Sequence, residues 1–284
     1  MPELSEDEMN DLARELTVCI CTRNRPESLR RTLASIARHA PAASVVVSDD
    51  GEESARSLVE SFPNYRWQRG PATGLGANRN AVVAAVETGR VLFLDDDAEL
   101  GPGFVEAIEE TLDHLDPGVR SNAIVTGRER QGDLLVAPND VDFLGFQKRP
   151  YGPGAELHTV VINAAVWPTA LFESVTFDES LRYGSDEVDL SYKALRAGFR
   201  IIDCPTAVNE HHPSPVGRAD YSLQAHASRL RASVRRAWRG AHRWPRTAAF
   251  LAVAPPHLFL ALLRREGPRG IGGFVRVLNL WLRG

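Results

Sequence analysis

The sequence predicts an α/β fold in which a sheet of mainly parallel strands is covered by helices on both faces. Two observations indicate this class: short β-rich apolar runs alternate along the chain with segments whose apolar residues recur at helical spacing. Polar loops follow several of the apolar runs directly. Because ligands bind at the carboxyl ends of the strands in such sheets, we expect those loops to converge on one crevice.

The first half of the chain carries the regular alternation of strands and helices. The predicted strands cover 17–21, 44–51, 65–70 and 90–97, and the helices cover 27–40, 53–61, 74–89 and 102–115. In the first helix Leu29, Leu33 and Ile36 recur at helical spacing and predict a buried face.

The second half is less regular. It contains a predicted strand at 123–129, a Pro/Gly-rich polar stretch at 138–156 and a strand at 201–203. A further helix opens with Asp186, Glu187 and Asp189, and carries Leu190, Ala194 and Leu195 on its inner face. Acidic residues also stabilise a helix N-terminus, so this cluster has a purely structural alternative. Trp167 fits either the core or an acceptor platform.

Composition indicates an ordinary globular protein. The N-terminal segment MPELSEDEMNDLARE is acidic and lacks the basic and apolar regions of a secretory signal. The three cysteines Cys19, Cys21 and Cys204 form neither a zinc spacing nor a disulfide framework. We therefore predict a cytoplasmic protein.

The charge is divided unevenly along the chain. Residues 218–284 hold thirteen arginines against Asp220 and Glu266, a charge of +11, which leaves −15 for the first 217 residues. We predict an acidic N-terminal extension (1–16), a main domain (17–217) and a basic helical region (218–284). The third segment mixes arginine with Trp, Phe and Leu, which is typical of a helix on a membrane surface.

That basic region has alternative interpretations. It can instead pack on the acidic body or form a homodimer. Its apolar stretch 248–263 is short, and we expect Pro255-Pro256 to break it, so no spanning helix is predicted. No nucleic-acid-binding module accompanies the arginines, so no nucleic-acid partner is predicted.

Three adjacent carboxylates, Asp95, Asp96 and Asp97, end the predicted strand at 90–97, directly after its apolar run. They repel one another, and an oxygen-liganded divalent metal would remove that repulsion. A solvated acidic turn is the alternative. The loops TRNRP and SDDG also follow apolar strands and are expected at the same edge.

Six segments in the same order resemble family 2 glycosyltransferases. They are TVCICTRNRPESLRRTLASI, VVVSDDG, GANRNA, LFLDDDAELGPGFVE, FDESLRYGSDEVDLSYKALRAGFRI and a histidine pair, and they span roughly residues 17–215. The resemblance implies the GT-A fold: a Rossmann-like, nucleotide-binding mixed sheet flanked by helices, with a nucleotide-sugar half at about 17–100 and an acceptor half at about 101–217.

The resemblance also implies roles for individual residues. LFLDDD is similar to the family's DXD motif, in which Asp97 would ligate the metal on the donor's diphosphate and Asp95 would be a second ligand. His211 or His212 matches a position where some members place a metal-binding histidine. The residues implied on the nucleotide side are Thr22, Arg23, Asp49, Asp50, Arg79 and Asp96.

Within that nucleotide set, Thr22 and Arg23 would flank the base, and Asp96 would turn towards the ribose. Asp50, with Asp49 as the second choice, would accept a hydrogen bond from the pyrimidine ring. Arg79 would lie near the nucleotide.

GSDEVDL resembles the motif that supplies the catalytic base. By position the base is Glu187, with Asp186 beside it, although Asp-Glu stands here where Glu-Asp is usual. The order leaves open which of the two acids reaches the acceptor.

The predicted function is inverting transfer of a sugar from a nucleotide-diphosphate donor, most simply a UDP-sugar, to an acceptor hydroxyl, with Mn²⁺ or Mg²⁺ as cofactor. Donors based on dTDP or GDP stay open, as do glycan, lipid-linked and natural-product acceptors. The alternatives are a sugar nucleotidyltransferase and a non-catalytic nucleotide- or sugar-binding protein. A lipid-linked acceptor would favour peripheral attachment to the inner face of the cytoplasmic membrane.

Overall fold

The computed structural model describes residues 11–213, 222–239 and 243–283. Its strands are β1 (Leu16–Thr22), β2 (Ser44–Asp49), β3 (Tyr65–Arg69), β4 (Arg90–Phe93), β5 (Ala98–Glu99), β6 (Ala123–Gln131), β7 (Leu134–Val136), β8 (Asn139–Val141), β9 (Gln147–Pro150), β10 (Ala165–Pro168) and β11 (Arg200–His211). Its α-helices are α1 (Asp11–Glu15), α2 (Pro26–His39), α3 (Arg56–Val59), α4 (Leu75–Val83), α5 (Phe104–Asp113), α6 (Pro117–Arg120), α7 (Asp186–Arg196), α8 (Ser222–Arg239), α9 (Arg243–Glu266) and α10 (Arg269–Arg283).

The main sheet is mixed, and the predicted α/β class with flanking helices is confirmed. Its strand order is β3-β2-β1-β4-β10-β6-β11-β5, and β7 pairs with β6 outside this path. The strands β3, β2, β1 and β4 are parallel, whereas β10 runs antiparallel to both β4 and β6. The antiparallel strand β10 makes the sheet mixed, as the resemblance implies, and a 3-10 helix at Ile162–Ala164 leads into β10 without a crossover α-helix.

Apolar side chains cover both faces of the sheet. On one face the predicted residues Leu29, Leu33 and Ile36 of α2 are fully buried among residues of β1, β2 and β4. A second apolar cluster on the other face includes Trp167 and Leu190. Trp167 is fully buried, so it belongs to the core and is excluded as an acceptor platform.

The parallel register brings the predicted loops to one edge. Thr22 at the end of β1 pairs with Asp49 at the end of β2, and Cys19 of β1 pairs with Phe93 at the end of β4. The backbone N–H of Asp50 donates to the carbonyl of Thr22 at 2.9 Å. Strand pairing alone therefore brings the loops TRNRP, SDDG and LDDD together at the carboxyl ends of β1, β2 and β4.

Some segments differ from their predicted extent. Helix α4 ends at Val83 rather than at Gly89, and 138–156 contains the antiparallel ribbon β8–β9. Strand β11 does not stop at Asp203: it continues to His211 after a register shift between Asp203 and Val208. The longer strand brings His211 back beside Ala98, directly after the acidic triplet.

The three C-terminal helices form a small bundle with its own apolar core. Leu230 of α8, Phe250 and Leu262 of α9, and Val277 of α10 are buried in it. Helix α9 runs without interruption through Pro255-Pro256, so the expected break at these prolines is wrong. Of the helices described, α9 alone is long and apolar enough to cross a membrane by length and composition, with a mean hydropathy of 1.5 over 18 residues, 28% of them buried.

Arginines attach this bundle to the body. Arg229 and Arg236 of α8 donate to the carbonyls of Leu144 and Asp142 at 2.8 and 2.9 Å. Arg231 donates to the carbonyl of Ser180. The bundle thus packs on the body, and the proposed division at residues 17, 100 and 217 stays a prediction.

Candidate active site

The acidic triplet lies at the carboxyl end of β4 and is surrounded by cations. Arg25 Nη1 donates to Asp96 Oδ1 and to Asp97 Oδ2, at 2.9 Å in both cases. Thr22 Oγ1 donates to Asp96 Oδ2 at 2.7 Å. Burial raises the pKa of Asp96 to about 6, even though Arg25 and Thr22 favour its ionised form.

Asp95, Asp97 and His211 form a candidate metal centre. Each offers one ligand atom, and the three atoms lie within 4.8 Å of one another. Two carboxylate oxygens and an imidazole nitrogen form a donor set that suits Mn²⁺, and the carboxylates also suit Mg²⁺. By spacing and by donor chemistry, the residues present fit a divalent cation.

Glu129 and Asn163 hold this cluster in place. His211 Nδ1 lies 2.6 Å from Glu129 Oε1, and its Nε2 lies 3.2 Å from Asp97 Oδ1. Asn163 Nδ2 donates to Glu129 at 2.9 Å, while its Oδ1 accepts the backbone N–H of Asp95 at 2.8 Å. Burial lowers the pKa of His211, but hydrogen bonds to Asp97 and Glu129 outweigh it and raise the pKa to about 10.

The two histidines of the pair have different surroundings. The ring of His212 pairs with Glu99 at 3.0 Å, and its backbone N–H donates to the carbonyl of Asp97 at 2.9 Å. Of the two, His211 belongs to the metal-type cluster. The alternation of side chains along β11 explains why neighbouring histidines separate.

Arg79 connects the acidic triplet to the predicted base. Its guanidinium donates to Asp95 Oδ1 at 2.9 Å and to Asp186. Arg79 is only 3% exposed. The guanidinium also lies 5.6 Å from the ring centre of Phe177. A buried arginine between two carboxylates is therefore the centre of an ion-pair chain.

Asp186 and Glu187 open α7 and differ in exposure. Asp186 is 2% exposed and paired with Arg79, whereas Glu187 is half-buried. Burial, followed by repulsion from Asp186, raises the pKa of Glu187 to about 8. Glu187 therefore keeps its proton to a higher pH than an ordinary glutamate does.

The SDDG loop uses its two aspartates differently. Asp49 accepts the backbone N–H groups of Gly51 and Ala55, both at 2.8 Å, and organises the loop itself. Asp50 is half-buried and accepts the N–H of Ala72 at 2.8 Å. In TRNRP, Thr22 is buried whereas Arg23 is exposed.

Sequence reasoning missed three residues of this site: Arg25, Glu129 and Asn163. Arg25 lies within the TRNRP motif, close to Thr22 and Arg23, and this position was the one sequence signal that could have marked it as a site residue. Glu129 and Asn163 lie in segments whose only visible pattern is apolar, and nothing local marks them.

The family model described as Glycosyl transferase family 2 matches residues 17–149. Two curated relatives, both named pre-mycofactocin glycosyltransferase and from two strains of Mycobacterium tuberculosis, are 30% identical over 214 residues, which is 70% of this chain. Residues 17–149 belong to glycosyl transferase family 2. The same alignment covers 43% of the length of those relatives, so this chain spans less than half of them.

Solved structures agree on the fold. The S. aureus TarS fragment 1–349 in complex with UDP-GlcNAc has a TM-score of 0.62 at 17% identity, covering 93% of this chain and 81% of the fragment. The mannosyltransferase PcManGT from Pyrobaculum calidifontis, with GDP-Man and Mn²⁺, has a TM-score of 0.59 at 18% identity, covering 93% and 74%. GalNAc-T7 with UDP, GalNAc and Mn²⁺ has a TM-score of 0.60 at 15% identity, covering 76% and 47%. The predicted GT-A architecture is thereby confirmed.

Proposed function

We propose that this family 2 member transfers a sugar from a nucleotide-diphosphate donor to an acceptor hydroxyl, with inversion at the anomeric carbon. One observation carries the proposal: Arg79 joins the candidate metal centre to the acidic pair that opens α7. Asp95, which belongs to the centre, and Asp186, next to the proposed base Glu187, bind the same guanidinium. One side chain thus bridges the donor and acceptor sides.

On the donor side, Asp95, Asp97 and His211 would hold Mn²⁺ or Mg²⁺. What the cation supplies when bound is neutralisation and orientation of the leaving diphosphate. Of the two loop aspartates, Asp50 is the better candidate for the nucleotide base, because both carboxylate oxygens of Asp49 already accept hydrogen bonds from its own loop. The structures of similar fold hold UDP-GlcNAc and GDP-Man, and we favour a uridine donor.

On the acceptor side, Glu187 would take the proton of the attacking hydroxyl. Asp186 is committed to Arg79 and almost fully buried, so the half-buried Glu187 is the better candidate. Its raised pKa places the carboxylate near the working pH, which suits a general base. Attack from the side of the base, opposite the diphosphate, would invert the configuration.

Calorimetric titration with UDP, GDP and dTDP, with and without Mn²⁺, tests the donor side. We expect one nucleotide to bind only with Mn²⁺ and Asp97→Asn to abolish that binding. Asp133→Asn is the matched control, because Asp133 is an exposed aspartate in the β6–β7 turn. If no nucleotide binds under either condition, the donor site is wrong.

Exchange of Glu187 for Gln separates an enzyme from a binding protein. We expect turnover to fall about 10²–10⁴-fold while nucleotide binding is kept, since the glutamine cannot accept a proton. Glu173→Gln, at an exposed position, is the control. Unchanged turnover would remove Glu187 from its role. Release of diphosphate from a nucleoside triphosphate and sugar phosphate would favour the nucleotidyltransferase instead.

We also propose that the C-terminal bundle touches an anionic membrane surface. Exposed apolar side chains concentrate on α9 and α10, at Trp244, Leu251, Val253, Leu260, Ile271, Val275 and Leu282. The same helices carry an excess of arginine, which complements anionic headgroups. Co-sedimentation should be stronger with phosphatidylglycerol vesicles than with phosphatidylcholine vesicles and should weaken in Leu251→Ser/Leu260→Ser; equal sedimentation would oppose the proposal. Dimerisation stays an untested prediction.

A further inference from the structure

A strongly basic cavity lies between the body and the C-terminal bundle. Its volume is about 400 Å³, and its walls come from the β8–β9 ribbon, from α7, from α8 and from the start of α9. Besides Lys193, its positively charged side chains are Arg149, Arg196, Arg229, Arg236, Arg239 and Arg246. Asp140 and Asp189 are its only carboxylates among the described residues, so the formal excess is five positive charges.

Part of this charge is needed to build the cavity. Arg229 and Arg236 each donate to a carbonyl of the ribbon, at 2.8 and 2.9 Å. The ribbon can approach α8 because Gly145 has φ +88°, and a Cβ there would lie 2.2 Å from Ser233 Oγ. The remaining N–H groups of a guanidinium stay available after one such bond, because each guanidinium has five donors.

Two further arginines of the cavity, Arg149 and Arg246, have few partners, whereas Lys193 pairs with Asp189 at 2.7 Å and Arg196 donates to the carbonyl of Arg239 at 2.9 Å. The side chain of Arg149 is 69% exposed, and its nearest carboxylate, on Asp140, is 3.9 Å away. Arg246 is exposed and has no hydrogen bond to another described residue. Repulsion among so many cations in one cavity is unfavourable unless an anion enters.

The cavity adjoins the proposed catalytic base. Ser185, Val188 and Asp189 line it, and they flank Asp186 and Glu187 in the first turn of α7. Tyr192, one turn further, adds an aromatic ring to the same wall and lies 5.5 Å from the guanidinium carbon of Arg236. Glu187 itself does not line the cavity, but a ligand there lies beside the same turn of the helix that carries the proposed base.

We propose that this cavity binds a phosphate group of the acceptor, so that the C-terminal bundle selects phosphate-bearing acceptors. The inference rests on the proposed function, because it assigns the acceptor of the same site. Guanidinium groups bind phosphate oxygens through paired, charge-assisted hydrogen bonds, and several arginines together can match a dianion. A neutral hydroxyl acceptor would leave the excess positive charge without a counterpart.

The test titrates sn-glycerol 3-phosphate into the full chain. The protein is first saturated with Mn²⁺ and with whichever of UDP, GDP and dTDP binds in the titration above, so that the phosphate ester cannot enter the diphosphate site. Glycerol is the neutral probe. We expect the phosphate ester to bind, glycerol not to bind, and Arg149→Gln/Arg246→Gln to weaken binding of the ester at least tenfold. Both substituted residues are exposed, so the fold should be kept.

Arg38→Gln, an exposed arginine at the far end of α2, is the matched control and should bind as the parent chain does. Equal binding of ester and glycerol, or equal weakening in the control, would overturn the proposal. Normal nucleotide binding without ester binding would reject this inference alone. Failure of nucleotide binding rejects the proposed function instead, and the ester is then titrated without nucleotide.

The same titration distinguishes two sources of the phosphate. A lysophosphatidate below its micellar concentration presents the same headgroup with an acyl chain. Tighter binding than glycerol 3-phosphate, again lost in Arg149→Gln/Arg246→Gln, would support the proposal with a lipid source. Equal affinity for the two probes would support it with a soluble phosphate ester. Binding of the lipid that survives in the double variant would oppose it.

Discussion

The catalytic body and the C-terminal bundle compensate their excess charges in different ways. In the body, clustered carboxylates are paired with a few buried or half-buried cations: Arg25 with Asp96 and Asp97, and Arg79 with Asp95. In the bundle, arginines far outnumber carboxylates, and several donate to backbone carbonyls instead.

The difference indicates which ligand charge each region can bind. A carboxylate paired with a movable arginine can exchange that partner for a metal ion, so the body is suited to a cation. A guanidinium on a carbonyl keeps its full positive charge, so the bundle keeps a field that only an anion can neutralise. Under the proposed function, the site would thus have an acidic donor side and a basic acceptor side.

Breaking the buried Arg79–Asp186 ion pair of the body should have the largest effect on stability. Arg79→Met keeps an unbranched side chain but removes the guanidinium and leaves Asp186 buried without its cation, so we expect the free energy of unfolding to fall by about 3–5 kcal/mol. Chemical denaturation at neutral pH measures this. Arg38→Met, at an exposed position, is the control and should change the free energy of unfolding little.

A double variant shows whether the loss comes from the unpaired charge. Arg79→Met/Asp186→Leu removes both partners, so it should be more stable than Arg79→Met alone. The cycle also needs Asp186→Leu alone. If the loss in free energy of unfolding of the double variant equals the sum of the two single losses, Arg79 and Asp186 are not coupled, and their ion pair does not stabilise the fold.

The protonation of Glu187, in the helix that borders both the body and the bundle, predicts how activity depends on pH. A general base works only when deprotonated, and its pKa of about 8 lies above neutrality. We therefore expect kcat/KM to rise with pH up to about 8 and to fall about tenfold per unit below it, which is roughly a hundredfold at pH 6. A profile that is flat from pH 6 to 9 would contradict this assignment.

The donor side was largely predictable because it depends on local pattern. The apolar runs of β1, β2 and β4 predict parallel strands, and parallel strands bring their terminal loops to one edge. The contacts that hold the whole site together were not predictable, because they join distant residues: Arg79 and Asp186 are 107 positions apart, and Glu129 and His211 are 82 apart. Likewise, no local pattern distinguishes an arginine that binds a carbonyl from one that faces a ligand.

The smallest effect is expected from weakening the attachment of the bundle. Arg231 is 7% exposed and donates to the carbonyls of Ser180 in the body and of Leu280 in α10, so it joins the two regions. Arg231→Met leaves these carbonyls without a partner and should cost about 1.5–3 kcal/mol, the range for hydrogen bonds to charged groups. Hydrogen exchange in α8 and α10 should accelerate while β1 and β4 stay protected. Arg283→Met, exposed at the end of α10, should leave exchange unchanged, whereas uniform acceleration through the sheet would mean that bundle and body unfold as one unit.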